Sequence, residues 1–541
     1  MEVYTLMEKI RIKNIRSLKD TGIVPLAPIT LLVGENSSGK STFLRTFPLL
    51  KQSISKKTDG PILWAGDVDD YVDFGSFKET ITTGSNEKME IEFHFRTHLR
   101  NERLPYLSSI ENIEEAEESK VLFSITVEAD GDKEYVSILN LNIDKTIFQV
   151  LFAKDKQTRV LIDGQEISST GKDVSSSQNR DDDYDYYFWV LRRNSTFRSI
   201  FGYTLPNLSK IAISTVTPLI GGTRRTGSYG DMEALLVIGT ALTKGIDIFD
   251  FGKYSIKHEP PFESSSATKK KITSLIAKIQ TADKTDKERY VAACKLLFFS
   301  FYYPQIEEYV EKYFRQVHYI APLRATAERY YRLRNSAIDE IDYQGKNLAI
   351  FLNSLDHSRM ISFQAWTQEN FGFKAVVQKN VGHLSVAISR DGLDGVTNLS
   401  DTGFGYSQIL PIITQLWELS SRTHISRSQS NEEIPLVIAI EQPELHLHPA
   451  MQGRLAKAFI ACIKLAKENG YQLQLLLETH SKTLVDYFGR AIARRAVKTS
   501  DIAVVLFERE ATTGYTEVTK TSYNSTGALN KWPIGFFEPE E

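Results

Sequence analysis

The stretch that decides the fold runs from Ile29 to Ser41 and reads ITLLVGENSSGKS. Its apolar first part predicts a buried strand, and the residues from Ser41 to Phe47 predict a helix that Pro48 ends or kinks. Between the two, residues 34–41 fit the pattern G-x-x-x-x-G-K-[ST], whose glycines let backbone N–H groups turn inward around a β-phosphate. The sequence therefore predicts a phosphate-binding loop between a strand and a helix.

The residues of this loop have separate expected roles. Lys40 would reach the β- and γ-phosphates of a nucleotide, and the Ser41 hydroxyl would hold Mg²⁺. The start of the helix adds its partial positive charge to the site. The candidate nucleotide-binding residues here are Gly34, Glu35, Asn36, Ser37, Ser38, Gly39, Lys40, Ser41 and Thr42.

A second motif lies late in the chain, where the apolar residues 436–440 end at Glu441. A phosphate-binding loop needs a carboxylate at the tip of a neighbouring buried strand to orient the magnesium shell, and Glu441 meets that need. The next residue, Gln442, occupies the position where ATPases of this type usually carry the glutamate that polarises the attacking water. A neutral amide orients water but accepts protons poorly, so we expect either slow hydrolysis or a catalytic role for Glu444.

Two more segments carry candidate site residues. Residues 398–408 read NLSDTGFGYSQ and predict a helix beginning near Tyr406, whose start presents backbone N–H groups to an anion. If two copies of the chain face each other, this segment would meet the γ-phosphate bound at residues 34–41 of the other copy. Apolar residues 475–477 lead to His480, whose neutral imidazole can hydrogen-bond the γ-phosphate or the attacking water. The anion-binding candidates of the first segment are Ser400, Gly403 and Gly405.

The composition excludes several classes of protein. Of 541 residues, 41% are apolar and 25% are charged, which suffices for a buried core and argues against disorder. The two cysteines, Cys294 and Cys462, exclude a disulfide scaffold and a four-cysteine zinc site. A net charge of −3 argues against a globally basic DNA-coating protein. The longest nearly apolar run, Leu296–Tyr303, is too short to span a bilayer, so we expect a cytoplasmic protein without a membrane partner.

The order of the patterns predicts an α/β fold made of four segments. Residues 1–85 would form the N-terminal part of an ATPase head, and residues 317–541 would form its C-terminal part with the later motifs. Between them, residues 86–230 alternate as strands do, with a mobile acidic loop expected at residues 168–185. Residues 231–316 predict an inserted helical region, and because sustained heptads are absent we expect no long coiled coil.

In chain order, these motifs resemble the ABC-type ATPase heads of the SMC and overcoming-lysogeny lineage. The opening residues 10–17, IRIKNIRS, are similar to the first strand of such heads, where Arg16 and Ser17 lie near the nucleotide. The resemblance implies an ABC-type P-loop head that binds ATP and Mg²⁺ at a face-to-face homodimer interface. The glutamine loop that contacts magnesium in these heads is not obvious here, and Asp73 is the candidate at its position.

Two further phrases, HYIAPLR at residues 318–324 and WPIGFF at residues 532–537, resemble the PtuA-type ATPases of Septu and retron-linked Septu anti-phage systems. This resemblance implies a homodimer or higher assembly that senses or regulates, and scaffolds, a separate HNH-type nuclease subunit. A reverse transcriptase with its DNA or RNA product is a further implied partner. The roughly 60 residues after His480 are too few for a nuclease domain within the chain, so we expect no intrinsic nuclease.

The alternative function is an SMC-like housekeeping ATPase that acts on DNA ends or in repair. It would favour a catalytic glutamate at position 442 and a long coiled coil, and the sequence predicts neither. Clusters of basic residues could contact the phosphates of a nucleic acid, although most such clusters are only solvated surfaces. Arginines interleaved with Tyr330 and Tyr331 are the most suggestive cluster, because this pattern suits a nucleic-acid or partner surface. They are Arg324, Arg329, Arg332 and Arg334.

Overall fold

The computed structural model describes residues 7–56, 58–67, 70–84, 88–97, 118–152, 158–167, 208–220, 229–245, 248, 265–332, 340–390, 395–421 and 435–532. The expected acidic loop at 168–185, Arg334 and residues 533–537 lie outside these stretches. Within the stretches that are described, no helix combines the length and the apolar character that a membrane span requires.

The described residues form the following strands and helices. In chain order, the strands are β1 (Met7–Ile15), β2 (Leu18–Asp20), β3 (Val24–Pro25), β4 (Ile29–Gly34), β5 (Lys88–Thr97), β6 (Ser119–Asp130), β7 (Lys133–Ile143), β8 (Thr146–Phe152), β9 (Thr158–Ile162), β10 (Gln165–Glu166), β11 (Val317–Ile320), β12 (Tyr331–Arg332), β13 (Phe373–Asn380), β14 (His383–Arg390), β15 (Val396–Asn398), β16 (Leu436–Glu441), β17 (Leu473–Thr479), β18 (Ile502–Arg509) and β19 (Thr516–Thr521). The helices are α1 (Lys40–Ser55), α2 (Phe77–Thr80), α3 (Leu208–Ile220), α4 (Tyr229–Lys244), α5 (Ser265–Thr281), α6 (Lys284–Arg315), α7 (Leu348–Ser354), α8 (His357–Phe371), α9 (Phe404–Ser420), α10 (Pro449–Glu468) and α11 (Lys482–Ala493).

A six-stranded sheet with the order β11-β16-β17-β4-β18-β19 carries the phosphate-binding loop. Its first five strands are parallel, and β19 pairs antiparallel with β18. Every residue of β4, β16 and β17 is buried, as expected for parallel strands that are covered on both faces. The carboxyl ends of these three neighbouring strands therefore meet at one edge of the sheet, where such folds place their sites.

The two faces of this sheet belong to two hydrophobic cores. On β16, Val437 and Ala439 join one core, and Ile438 and Ile440 join the other, because side chains alternate between the faces of a strand. The first core also contains α1, α3–α6 and a second sheet, and the second core contains α7–α11. The fold is thus a mixed α/β structure with the parallel sheet as its middle layer.

The second sheet has nine antiparallel strands in the order β10-β9-β8-β7-β6-β5-β1-β2, with β3 paired to β1. Strands β5–β10 lie in the part of the chain whose alternating pattern predicts strands. Because β1 pairs with β5, the sheet also contains the start of the chain and crosses the boundary expected at residue 85. A third, smaller antiparallel sheet joins β12–β15 beside the second core.

Helix α1 continues past Pro48 to Ser55, so the proline does not end it. Proline removes one backbone hydrogen bond from a helix interior and crowds the preceding turn. Phe47, Leu49 and Leu50 are fully buried around it, and this packing holds the helix together.

The helical region starts earlier than the pattern predicts, with α3 at Leu208 rather than at residue 231. Its longest helix is α6, with 32 residues. Aromatic side chains of α6 fill the first core, among them Phe298, Phe299 and Tyr302. Among the described residues this region is therefore a packed helical insertion, without a coiled-coil arm.

Candidate nucleotide-binding site

The edge formed by the ends of β4, β16 and β17 opens into a cleft of about 470 Å³. Three features predicted from distant parts of the sequence meet around this space. They are the phosphate-binding loop, Gln442 and His480. The lining residues of the cleft are Arg16, Ser17, Asn36, Ser37, Gly39, Lys40, Ser41, Thr42, Gln442, Glu478, His480 and Arg509.

Two glycines shape the phosphate-binding loop. A Cβ on Gly34 would lie 2.2 Å from the carbonyl oxygen of Phe507, so β18 leaves no room for a side chain there. Gly39 has a φ of +95°, which favours glycine, and stands at the N-cap of α1. No described side chain caps this helix end, so the first N–H groups of α1 stay available to an anion.

Lys40 extends from the first turn of α1 back over its own loop. Its Nζ donates to the carbonyl oxygens of Gly34 at 3.0 Å and of Glu35 at 2.5 Å. Burial lowers the pKa of Lys40, because the protein replaces water around the charge. A buried ammonium held by loop carbonyls at the wall of a cleft is well suited to bind a phosphate.

Ser41 contacts a carboxylate at the end of β17. Its Oγ donates to Glu478 Oε1 at 2.8 Å. Burial, together with the neighbouring Glu441, raises the pKa of Glu478 to about 7. The hydroxyl that we expect to hold Mg²⁺ therefore lies beside a carboxylate to which the sequence motifs assign no role.

Glu441 ends β16 and is 1% exposed. Its Oε1 accepts hydrogen bonds from Arg45 Nε at 2.6 Å and from the Tyr319 hydroxyl at 2.7 Å, and its Oε2 accepts one from the Arg45 guanidinium at 2.8 Å. Burial opposes the charge on Arg45, but the hydrogen bonds to Glu441 raise the pKa of Arg45 above its usual value. Of the two strand-end carboxylates, Glu478 lines the cleft and Glu441 lies behind it in an ion pair.

The three candidate catalytic residues lie at the ends of β16 and β17. Gln442 has a φ of +44°, and its N–H donates to the Glu478 carbonyl oxygen at 2.9 Å. Glu444 Oε1 accepts a hydrogen bond from the His480 N–H at 2.7 Å, and burial raises the pKa of Glu444. Burial, together with the charge of Lys40, lowers the pKa of His480 to about 4, so its imidazole is neutral at pH 7.

Arg16 enters the cleft from the turn after β1. Its guanidinium lies 4.4 Å from the ring centroid of Phe74 and donates to the Phe74 carbonyl oxygen at 3.4 Å. Asp73, the expected magnesium-loop residue, is exposed beside this contact and accepts a hydrogen bond from the Gly75 N–H at 2.8 Å. It is not one of the lining residues of the cleft, and its role toward a metal stays a prediction.

The predicted anion-binding segment lies outside this cleft, at the start of α9. Ser400 is exposed, and its N–H and Oγ both donate to the side chain of Asn398, at 3.0 and 2.8 Å. Gly403 is also exposed and has a φ of +80°. A Cβ on Gly405 would lie 3.2 Å from the carbonyl oxygen of His446, so the start of α9 packs against the turn after β16. Ser400 and Gly403 are therefore exposed to solvent, where a second molecule has access to them.

The prediction of a surface role for Arg324 is wrong, because its side chain is only 5% exposed. Its guanidinium donates to the carbonyl oxygens of Glu441 at 2.7 Å and of Gln442 at 3.2 Å. Burial lowers the pKa of Arg324 to about 10. Arg329 and Arg332 are exposed, and Arg329 forms an ion pair with Asp401 at 2.6 Å. Arg324 thus fixes the turn after β16 and does not contact a solvent-side partner.

Several residues at the site have no role in the sequence motifs. Glu478 had a usable signal, since it ends an apolar run just as Glu441 does. Arg45 and Tyr319 had none, because their contacts depend on how α1 and β11 pack beside β16. Arg509 lines the cleft from the end of β18.

A family model described as an AAA ATPase domain matches residues 7–485 of the chain. No curated protein matches the chain. Among solved structures, it is similar to an SMC head bound to the C-winged helix domain of ScpA, at 11% identity and a TM-score of 0.30, over 96% of this chain and 98% of that chain. It is also similar to the SMC head domain from Thermotoga maritima, at 10% identity and a TM-score of 0.32, over 95% and 98% of the two chains.

Proposed function

Because the chain belongs to the AAA ATPase domain family, we propose that its cleft binds ATP with Mg²⁺ and that two copies close on the bound nucleotide. The observation that carries this proposal is Lys40, an ammonium that is 2% exposed and bound to oxygens of its own loop. Its hydrogen bonds go to the uncharged oxygens of Gly34, Glu35 and Ser38, so a phosphate at the wall of the cleft would add an anionic hydrogen-bond partner.

The residues around the cleft divide the triphosphate between them. Lys40 and the open N-terminus of α1 bind the β- and γ-phosphates, and Ser41 holds the metal. When bound, Mg²⁺ neutralises charge on the β- and γ-phosphates. Mg²⁺ prefers oxygen ligands, and the Ser41 hydroxyl together with a carboxylate at the end of a neighbouring strand supplies them.

Hydrolysis in this proposal is slow. Gln442 stands at the end of β16 with an amide that orients water but accepts a proton poorly. Glu444 holds the His480 backbone in place, because its Oε1 accepts the His480 N–H. We therefore assign Glu444 to positioning His480, whose neutral imidazole faces the cleft and can hydrogen-bond the γ-phosphate or the water.

The second copy supplies the start of α9. Ser400 and Gly403 are exposed and lie outside the cleft of their own chain, so in a face-to-face dimer they are free to contact the γ-phosphate of the other copy. ATP then bridges the two copies, and because it binds the closed state best it stabilises that state by mass action.

We further propose that the closed dimer regulates and scaffolds a separate HNH-type nuclease in cytoplasmic anti-phage defence. Support for this comes from the resemblance of residues 318–324 and 532–537 to the ATPases of Septu and retron-linked Septu systems. In such an assembly the nucleotide state decides whether the nuclease is held or released, and a reverse transcriptase with its DNA or RNA product is a further partner.

Nucleotide binding and dimerisation are tested with Lys40→Ala and Ser400→Arg. We expect Lys40→Ala to weaken binding of a fluorescent ATP analogue at least about 100-fold, because it removes the buried ammonium. We expect Ser400→Arg to bind the analogue like the wild type but to stay monomeric when ATP is added, as measured by light scattering after size exclusion. The matched control is Lys78→Ala, since Lys78 is an exposed lysine in a surface ion pair.

Each variant can refute its part of the proposal. If Lys40→Ala binds the analogue as tightly as Lys78→Ala does, the cleft is not the nucleotide site. If Ser400→Arg dimerises with ATP like the wild type, the start of α9 does not act across an interface. The neighbouring genes test the defence role: an HNH nuclease gene beside this one supports it, and a transporter or recombination operon contradicts it.

A further inference from the structure

Two glutamates stand side by side at the edge of the parallel sheet. Glu441 is the last residue of β16, and Glu478 is the next-to-last residue of β17. The two strands are parallel and neighbouring, and Glu441 and Glu478 are partners in their register. Two carboxylates thus lie at the place where the expected site needs one.

The carboxylate of Glu441 is fully engaged within the protein. Arg45 binds both of its oxygens, and the Tyr319 hydroxyl binds Oε1 a second time. Its side chain is 2% exposed, and Arg45 compensates its charge in a geometry typical of strong pairs. A metal ion would have to compete with this arginine for Glu441.

The carboxylate of Glu478 is in the opposite situation. It lines the cleft, and its Oε1 accepts one hydrogen bond, from Ser41 Oγ at 2.8 Å. Its Oε2 is buried, and no described atom donates a hydrogen bond to it. Leaving a buried carboxylate oxygen without a partner is costly, so this oxygen beside the cleft is a candidate ligand for a cation.

We propose that Glu478, together with Ser41, is the residue that binds the magnesium ion of the nucleotide, and that Glu441 is a positioning residue. Mg²⁺ is usually bound by one or two carboxylates together with substrate phosphates, and the unpartnered oxygen of Glu478 lies beside the hydroxyl expected to hold the ion. Glu441, paired with Arg45, fixes α1 against β16 and so sets where Ser41 stands. This inference rests on the proposed binding of ATP in the cleft.

The test measures metal binding directly, with Mn²⁺ as the probe. Electron paramagnetic resonance gives the affinity for Mn²⁺ in the presence of a non-hydrolysable ATP analogue, and the affinity for the analogue is measured separately in EDTA. The variants are Glu478→Gln, Glu478→Asp and Glu441→Gln. The matched control is Glu517→Gln, which changes an exposed glutamate of β19 in the same sheet.

We expect Glu478→Gln to weaken Mn²⁺ binding at least about tenfold while binding of the analogue in EDTA stays unchanged. Glu478→Asp keeps the charge, so it should fall between Glu478→Gln and the wild type. Glu441→Gln should weaken Mn²⁺ binding less than Glu478→Gln does, and Glu517→Gln should have no effect. Circular dichroism of each variant checks that it is folded.

Other outcomes overturn the proposal. If Glu478→Gln binds Mn²⁺ like the control but turns over more slowly, Glu478 acts on the water and not on the metal. If Glu441→Gln has the larger effect on Mn²⁺, the expected role of Glu441 stands and this assignment is wrong. If the wild type does not bind the analogue with or without metal, the proposed function itself fails, and this result is distinct from both others.

Discussion

Three lining residues of the cleft hold a backbone conformation that residues with side chains rarely adopt. Arg16, Ser37 and Gln442 have φ values of +51°, +61° and +44°. Such a conformation costs about 1–3 kcal/mol per residue and persists only where the surroundings enforce it. Here the Arg16 N–H donates to the Thr80 carbonyl oxygen and the Gln442 N–H to that of Glu478. Their concentration around one space supports its assignment as the functional site.

The ion pair between Arg45 and Glu441 leads to the first prediction, a loss of stability in Arg45→Gln. Removing the arginine leaves a carboxylate that is 2% exposed without its cation. Breaking a fully buried pair costs about 3–5 kcal/mol, and because Arg45 is 33% exposed we expect a smaller loss of about 2 kcal/mol. Urea unfolding followed by circular dichroism measures the change in the free energy of unfolding.

The control for this prediction is a second substitution at the partner. Glu441→Gln in the Arg45→Gln background removes the stranded charge, so most of the lost stability should return. If the double variant is as unstable as the sum of the two single variants, Arg45 and Glu441 are not coupled, and the arginine acts through packing alone.

Among the elements, α4 and α6 come into unusually close contact. A Cβ on Gly239 of α4 would lie 2.3 Å from the carbonyl oxygen of Cys294 on α6. Backbone cannot yield as a flexible side chain does, so this glycine sets the distance between the two helices. The contact lies in the first core, where Cys294 is fully buried.

The second prediction is that Gly239→Ala destabilises the protein. Overpacking costs about 1–3 kcal/mol, which exceeds the roughly 1 kcal/mol that alanine gains over glycine in a helix interior. We expect a lower midpoint of urea unfolding. Gly453→Ala in α10 is the matched control, because the nearest atom to its Cβ would be Tyr487 Cδ2 at an ordinary 3.8 Å. If Gly239→Ala is as stable as Gly453→Ala, the helices can separate freely.

Patterns within single elements were enough to predict β4, α1 and the strands of residues 88–166. Their apolar runs, glycines and alternation are local properties that survive in the fold. Of the two outcomes expected at Pro48, an end of the helix is wrong, because α1 continues to Ser55 with the neighbouring residues buried. Local rules also failed at Leu208, where α3 begins inside a segment expected to be rich in strands.

The sequence predicts the site residues that belong to spaced motifs. It does not predict the residues whose contacts depend on how helices and strands pack. Lys40, Gln442 and His480 meet in the cleft because parallel strands bring their carboxyl ends to one edge. Nothing in the sequence indicates that Arg45 binds Glu441, because the two residues are 396 positions apart. The surface role expected of Arg324 was wrong for the same reason. Its neighbours in sequence suggested an exposed side chain, but the packing of the folded chain buries it.

At the scale of the whole molecule, one sheet belongs to two cores, so distant parts of the chain depend on each other. Glu340 illustrates this in its contacts with Lys51 of α1 and His318 of β11, at 3.1 and 2.8 Å. It thereby ties the N-terminal part of the head to the C-terminal part across 289 positions of the sequence. Burial works against the charge of Glu340, but His318 and Lys51 lower its pKa to about 2.

A third prediction is a pH-dependent loss of stability at Glu340. Because the folded pKa of Glu340 is lower than its ordinary value of 4.5, its contribution is fully present above about pH 5 and is lost as the pH falls toward 2. The side chain is 34% exposed, so we expect Glu340→Gln to lower the free energy of unfolding at pH 6 by only about 1 kcal/mol. The gap between wild type and variant should be distinctly smaller at pH 3, where most of this contribution is lost. Urea unfolding at both pH values measures it, with Glu517→Gln as the control whose gap should not change. A gap at Glu340 that is the same at pH 6 and pH 3 would show that the charge of this carboxylate does not join the two parts of the head.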